Sequence, residues 1–108
     1  MILVSKYHAR KVTVDGMTFD SKKEYQRWLE LKTLERAKVI KNLRRQVPFE
    51  LLPRVPGRFP RPVKYIADFT YRENGEEVVE DVKGYRTDVY KLKKRLMWVV
   101  HGIDIREI

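Results

Sequence analysis

Two aspartates, Asp68 and Asp81, stand six residues before Asn74 and six residues after Gly75. The runs on both sides of this Asn-Gly dipeptide are rich in β-branched and aromatic residues, a pattern that predicts a hairpin with a two-residue turn. Counting outward from the turn places Asp68 opposite Asp81. Directly opposed side chains in an antiparallel pair have Cβ atoms about 4.5–5.5 Å apart. Two carboxylates at that distance repel each other unless a cation lies between them.

A lysine and a third carboxylate are expected beside this pair. Residues two apart in a strand point to the same face, so Lys83 shares the face of Asp81. Glu24 falls on one helical stripe with Trp28 and Leu31, which turns it towards the face that packs on the sheet. A ligand set of oxygens, without histidine or cysteine, favours a hard divalent cation, Mg²⁺ or Mn²⁺.

Each of these residues also has a purely structural interpretation. Glu24 can be only the capping-box partner of Ser21. Asp81 and Lys83 can be an exposed cross-strand charge pattern. Asp68, in the apolar segment YIADFTY, can be a buried, hydrogen-bonded structural acid. The combination of an acid within one strand and Asp-x-Lys on its partner favours the catalytic interpretation.

Patterns along the chain predict the elements that position these side chains. The predicted elements are a hairpin over 10–19 with its turn at Asp15-Gly16, a helix from Ser21 to about Lys38, strands over 46–52, 63–71 and 76–83, a helix over 88–101 and a short strand over 103–108. Pro48 indicates an edge position or a strand entry, and Gly102 indicates a helix C-cap. The apolar faces predicted to pack on the sheet are Tyr25, Trp28, Leu29, Leu31 and Leu34 on the first helix, and Val89, Leu92, Leu96 and Val99 on the second.

Glu24, Asp68 and the triplet Asp81-Val82-Lys83 resemble the E…D…(D/E)xK signature of the PD-(D/E)XK nuclease superfamily. The predicted αβββαβ order is similar to the common core of that superfamily and covers the chain from Ser21 onward. The segments FDSKKE, RRQVPFEL and EDVKG look most like small phage-encoded members, including Holliday-junction resolvases. Ala67 stands where the superfamily's proline would be, as in many members that lack it.

The resemblance implies a restriction-endonuclease-like α/β fold and Mg²⁺-dependent hydrolysis of DNA phosphodiester bonds, with Mn²⁺ as a second supporting metal. It implies metal ligands from Asp68, Asp81, the Val82 carbonyl and Glu24, with Lys83 orienting the attacking water or steadying charge on the phosphate. Gln46 matches a glutamine that lies near the active site in such relatives. Its other interpretation is a polar entry to the strand.

Composition is consistent with a nucleic acid partner. The chain has 24 Lys+Arg against 15 Asp+Glu and a net charge of +9, which favours a polyanion. It has no cysteine, and His8 and His101 lack ligand spacing, so zinc sites and histidine-based nuclease sites are disfavoured. No signal-peptide pattern and no apolar run near ~18 residues occurs, so a cytoplasmic protein without a membrane partner is expected.

Three groups of side chains are expected to contact the DNA backbone. They are Arg54, Arg58 and Arg61 in the loop 53–62, which has four prolines; Tyr85 and Arg86; and a helical stripe of Lys91, Lys94 and Arg95. The alternatives are a solvated connector for the loop and an ordinary solvated face for the helix. Contacts of this type read phosphates and not base sequence, which suits recognition of DNA shape.

These patterns together predict a single-domain α/β endonuclease acting on DNA, with branched junctions as the substrate. Resolution of a junction needs two symmetric cuts, so a homodimer is expected. One alternative is a nuclease acting on nicked, ended or unbranched duplex. Another is a non-catalytic basic DNA-binding module whose carboxylates are structural.

Overall fold

The computed structural model describes residues 10–83 and 85–108. Residues 1–9, His8 among them, precede the predicted hairpin and lie outside the described residues. In chain order the elements are β1 (Val12–Val14), β2 (Met17–Phe19), α1 (Lys22–Arg36), β3 (Lys41–Leu52), β4 (Val63–Glu73), β5 (Glu76–Asp81), α2 (Asp88–His101) and β6 (Arg106–Glu107).

Strands β3 to β6 form one mixed sheet in the order β3-β4-β5-β6. The pairs β3–β4 and β4–β5 are antiparallel, and β5–β6 is parallel. Strands β1 and β2 form a separate antiparallel hairpin. From α1 onward the order is αβββαβ, so the predicted mixed α/β class and element order are confirmed.

The β4–β5 hairpin has the predicted register. Asn74 and Gly75 both have positive φ, 53° and 80°, as a primed two-residue turn requires. The ladder runs from Glu73 opposite Glu76 to the pair formed by Phe69 and Glu80. Its continuation places Asp68 opposite Asp81, the last residue of β5. The strand ends two residues earlier than the sequence pattern predicts.

Strand β3 begins at Lys41, five residues before its predicted start. Asn42 and Gln46 have left-handed backbone, with φ of 56° and 54°, and the register shifts between Lys41 and Arg44. Left-handed residues and bulges interrupt the alternation of side chains, so the sequence does not present one continuous strand pattern. β3 is the edge of the sheet, which accommodates Pro48 because proline cannot donate a ladder hydrogen bond.

Each helix contributes to its own hydrophobic cluster. The α1 cluster is Leu31, Ile40, Phe69 and Tyr71, and the α2 cluster is Leu51, Tyr65, Ala67, Val79, Tyr90, Met97 and Ile105. On α1, Leu31 is fully buried and the Trp28 ring stacks on Phe69 with centroids 6.0 Å apart. Leu29 is exposed, so its assignment to the apolar side is wrong: one residue beyond Trp28 it turns ~100° away from the stripe.

The predicted packing face of α2 is wrong at three of its four residues, and Leu96 is the one that packs against the α2 cluster. Val89, Leu92 and Val99 are 63%, 57% and 70% exposed, and the buried residues of the helix are Tyr90 and Met97. Residues seven apart lie on one side of a helix, so the inward stripe is rotated by about one residue from the aliphatic one. A tyrosine ring buries more apolar surface than a valine side chain, and its hydroxyl can still form a hydrogen bond at the edge of the core. The Tyr90 hydroxyl donates to the carboxylate of Glu107 at 2.7 Å.

A buried ion pair fastens α1 to β5. The guanidinium of Arg27 donates to both carboxylate oxygens of Glu80, at 2.9 and 2.7 Å, and the Glu80 side chain is fully buried. The Tyr71 hydroxyl donates to the same carboxylate. A charge removed from water in this way is tolerated only when it is paired and hydrogen-bonded. Glu80 therefore holds α1 against the sheet.

Candidate functional site

The first turn of α1 directs Glu24 inward. The Ser21 hydroxyl accepts from the Glu24 N–H at 3.0 Å, and the Glu24 carboxylate accepts from the Asp20 N–H at 2.7 Å. The carboxylate thus bonds one residue before the N-cap, a variation on the usual capping box. The Glu24 side chain is buried. Glu24 therefore takes part in capping α1 and also points its carboxylate into the protein.

Asp68 lies at the centre of the carboxylate group. Its Oδ2 accepts from the N–H of Val82 at 2.8 Å, so the side chain binds the backbone where β5 ends. The Asp68 carboxyl is also within hydrogen-bonding reach of the carboxyls of Glu24 and Asp81. One carboxylate oxygen from each of Asp20, Glu24 and Asp68 lies within 4.8 Å of the other two. Asp68 therefore joins an acidic group on the α1 side to Asp81.

Asp81 is buried and is held from two directions. Its Oδ2 accepts from the Tyr65 hydroxyl at 2.7 Å, and the Nζ of Lys83 lies 3.4 Å from the same oxygen. The Lys83 Nζ also lies 4.5 Å from the centroid of the Tyr90 ring. The structure thus brings Asp68, Asp81 and Lys83 together, with Lys83 beside the carboxylates two residues beyond the end of β5.

Burial shifts the protonation of both aspartates. The pKa of Asp68 is raised to about 6, first by burial and further by the neighbouring Glu24 carboxyl. Burial raises the pKa of Asp81 to about 7, with added contributions from its hydrogen bond to Asp68 and from repulsion by that charge. Lys83 opposes the shift of Asp81 without cancelling it. Full ionisation of this carboxylate group at neutral pH is therefore unfavourable unless a cation compensates the charge.

The two shifts have a measurable consequence for stability. Because the folded pKa values lie above the unfolded value of 3.8, the folded state holds extra protons between about pH 4 and pH 7. These groups therefore stabilise the protein at low pH, and that stability is lost as pH rises through the folded values. We expect Asp81→Asn to raise the Tm of the metal-free protein at pH 7.5 by ~4–8 °C, the equivalent of ~1 kcal/mol in a small domain.

The measurement is the Tm difference between Asp81→Asn and wild type at pH 4.5 and pH 7.5, with chelator and with Mg²⁺. The difference should be close to zero at pH 4.5, and Mg²⁺ should stabilise only the wild type at pH 7.5, since bound carboxylates must be deprotonated. Asp104→Asn, at an exposed aspartate, is the matched control. An Asp81→Asn protein that is less stable than wild type at pH 7.5 in chelator contradicts the expectation.

Gln46 lies against the same group. Arg45 pairs with Phe69 and Val47 with Ala67, so Gln46 stands opposite Asp68 on β4. Its side-chain amide donates to the second oxygen of Glu24 at 3.3 Å. The left-handed backbone of Gln46 is disfavoured for a residue with a side chain, and such conformations concentrate at sites where surrounding contacts fix them.

An open pocket of about 310 Å³ adjoins Lys83. Its lining is Lys64, Tyr65, Ile66, Lys83, Thr87, Val89, Tyr90 and Lys93. Three lysines in one concave surface attract an anion of the size of a phosphate. Because Lys83 also contacts Asp81, the basic pocket and the carboxylates share this side chain.

Comparison with known proteins gives the family of the chain. The family described as a protein of unknown function, DUF1064, matches residues 4–106. The chain belongs to the DUF1064 family. No curated protein matches it. In the described part of this DUF1064 chain, neither helix combines the length and the apolar character needed to cross a bilayer.

The arginines predicted to contact DNA from the loop 53–62 are exposed. Within residues 10–83 and 85–108 of the DUF1064 chain, the guanidinium groups of Arg54, Arg58 and Arg61 have no ion-pair or hydrogen-bond partner. They are therefore available to an anionic ligand.

The predicted stripe on α2 is divided. Lys91 and Arg95 are exposed, but Lys94 lies on the side of Tyr90 and contacts Glu107 at 3.4 Å. Arg86 pairs with the same glutamate at 3.0 Å, and Tyr85 is exposed. The prediction assumed that the aliphatic face of α2 packs on the sheet and that the basic stripe lies opposite it. Because the helix packs through Tyr90 and Met97 instead, Lys94 lies on the packed side of the DUF1064 helix.

Sequence reasoning missed several residues around this DUF1064 site. Asp20 directly precedes the N-cap, a position that would have indicated its nearness to Glu24. Lys64 stands four residues before Asp68, on the same face of an alternating strand, which was a usable signal. Strand alternation would point Tyr65 to the face opposite Asp68, and the aliphatic pattern of α2 would leave Tyr90 exposed. Both side chains nevertheless contact the site. Their contribution was not readable from spacing.

Proposed function

We propose that this DUF1064 chain is a metal-dependent DNA endonuclease with Glu24, Asp68, Asp81 and Lys83 in its active site. The observation that carries the proposal is the contact between Asp68 and Asp81, two carboxyls of raised pKa, with Lys83 3.4 Å from one of them. Buried acids with perturbed pKa values next to a specific charged partner are typical of functional sites.

The donor set fits a hard divalent cation. Carboxylate oxygens dominate it, and among the described residues Lys83 is the cation in contact with Asp81. Asp68, Asp81, the Val82 carbonyl and Glu24 would hold Mg²⁺, or Mn²⁺ in its place. When bound, such an ion supplies a water of lowered pKa and neutralises charge on a phosphodiester.

Hydrogen bonds of the protein orient the two central acids. Val82 holds one oxygen of Asp68, and Tyr65 holds one oxygen of Asp81. These two hydrogen bonds fix the orientation of each carboxyl before any ligand binds, which reduces reorganisation during the reaction.

Lys83 would act on the phosphate. Its ammonium lies between Asp81 and the Tyr90 ring at the wall of the basic pocket. From there it donates a hydrogen bond to a non-bridging phosphate oxygen, whose charge grows as the bond to the attacking oxygen forms. Lys64 and Lys93 extend the positive surface along which the DNA backbone would lie.

Branched DNA is the proposed substrate, and the chain is proposed to act as a homodimer in the cytoplasm. The net charge of +9 and the unpaired arginines of the loop 53–62 support backbone contacts, which recognise shape. Two symmetric cuts across a junction match the two-fold symmetry of a dimer.

The test is a cleavage panel with a four-way junction, a fork, linear duplex, single strand and supercoiled plasmid, each with Mg²⁺, Mn²⁺ or chelator. We expect metal-dependent cuts, fastest on the junction and leaving 5′-phosphate ends. Faster cutting of linear duplex or plasmid than of the junction would instead support a nuclease that acts on nicks, DNA ends or unbranched duplex. Tight DNA binding with no cut in either metal would support the non-catalytic binding module and end the endonuclease proposal.

A further inference from the structure

The loop 53–62 contains a hydrogen-bonded turn between Val55 and Phe59. Val55 donates its N–H to the Phe59 carbonyl and Phe59 donates to the Val55 carbonyl, both at 2.7 Å. Arg58 adds a bond to the Val55 carbonyl at 3.0 Å, and Gly57 provides the left-handed residue at φ 76°. Prolines at both ends restrict the backbone further. The loop therefore presents its side chains in a fixed arrangement.

The turn carries an exposed aromatic residue among cations. Phe59 is 60% exposed and, together with Leu52, Val55 and Val63, forms an apolar surface beside Arg61. The segment from residue 51 to residue 67 contains no acidic residue. The guanidinium groups of Arg54, Arg58 and Arg61 have no hydrogen-bond or ion-pair partner within the described residues. An apolar tip surrounded by unpaired arginines complements a ligand that alternates flat apolar surface with negative charge.

Nucleic acid has that character at each base step, where stacked rings are flanked by phosphates. Proteins that open DNA insert an apolar side chain between bases and hold the adjacent phosphates with arginine or lysine. A phenylalanine on a rigid turn loses little conformational entropy on insertion.

We propose that Phe59 is a wedge that stacks in an opened base step of the DNA substrate, with Arg54, Arg58 and Arg61 on the flanking phosphates. The proposal rests on the proposed function for the identity of the ligand as DNA. The loop leads directly into β4, and five residues of strand, ~17 Å, separate Val63 from Asp68. The opened step is therefore several nucleotides away from the bond that is cut.

The experiment places 2-aminopurine at the branch point of a four-way junction and measures its fluorescence with the full chain in chelator, so that cleavage is absent. Wild type should increase the fluorescence as the base unstacks. Phe59→Ala should remove that increase and weaken binding by about 5- to 100-fold, with an unchanged Tm because the side chain is exposed. Phe59→Trp should restore the fluorescence increase.

Trp98→Ala is the matched control, since Trp98 is an aromatic residue of α2 with 62% exposure. Its protein should behave as wild type. A fluorescence increase that persists in Phe59→Ala overturns the wedge, and so does wild type that binds no DNA. If Phe59 is required instead for binding to phosphatidylserine vesicles, the tip is a lipid contact. Junction cleavage in Mg²⁺ together with no fluorescence change in chelator rejects the wedge alone. A fluorescence change in chelator together with no cleavage in Mg²⁺ or Mn²⁺ rejects the nuclease alone.

Discussion

Asp68→Asn is expected to reduce Mg²⁺-dependent DNA cleavage by ~10³-fold or more while DNA affinity in chelator is retained. The amide has nearly the shape of the carboxylate and keeps an oxygen that accepts from the Val82 N–H. It loses the negative charge that an ion requires, and metal-based stabilisation of the phosphate supplies several kcal/mol of catalysis. The measurements are single-turnover cleavage of the junction and binding of the same DNA by fluorescence anisotropy.

Asp20→Asn is the matched variant for this experiment. Asp20 approaches Glu24 and Asp68 as closely as a ligand would, but it is exposed and pairs with Lys11 at 2.9 Å. We expect its cleavage rate to stay within ~10-fold of wild type. An equal loss of cleavage in both variants would indicate that the ion is bound by Asp20, Glu24 and Asp68 beside α1 and not by Asp81. An Asp68→Asn protein that cuts at the wild-type rate would refute the proposed activity.

Arg27→Met is expected to lower the free energy of unfolding by ~3–5 kcal/mol. The substitution leaves Glu80 as a fully buried carboxylate whose remaining hydrogen-bond donor, among the residues that the structure describes, is the Tyr71 hydroxyl. For a domain of this size the Tm should fall by more than ~10 °C. Denaturant unfolding and thermal melting both report the change, and the effect should be present with or without metal.

Two further variants distinguish the buried pair from the exposed one. Glu30→Gln removes the other partner of Arg27, a glutamate whose side chain is 63% exposed, and should change stability by less than ~1 kcal/mol. The double variant Arg27→Met/Glu80→Leu should recover much of the loss, because it removes the unpaired charge as well. Equal, small effects of Arg27→Met and Glu30→Gln would contradict a stabilising role for the Glu80 pair.

The most accurate sequence inference concerned the hairpin that carries the two aspartates. An Asn-Gly turn admits few backbone geometries, so it determines which residues are opposed for as long as the ladder continues. The approach of Asp68 to Asp81 follows from that register and not from any long-range contact. The inward orientation of Glu24 was likewise readable, because helical spacing linked it to Trp28 and Leu31.

The packing of α2 was not readable in the same way. Counting aliphatic residues selected Val89, Leu92, Leu96 and Val99. Of these four, Leu96 packs against the core, whereas the fully buried residues of the helix are Tyr90 and Met97. Which face packs depends on the shape and hydrogen-bonding partners offered by the sheet, and the helix sequence does not contain that information. The hydrogen bond of Tyr65 to Asp81 depends on the same three-dimensional arrangement, as does the ion pair of Glu80.

The outer side of β3 bears on how copies of this protein can associate. A twelve-residue edge strand ordinarily offers unpaired N–H and C=O groups to a neighbouring chain. Here Pro48 lacks an N–H, and the left-handed Asn42 and Gln46 interrupt the extended backbone. At the opposite edge, β6 is only two residues long. The sheet is thus protected at both margins against extension into fibrils, and self-association is expected through side-chain surfaces.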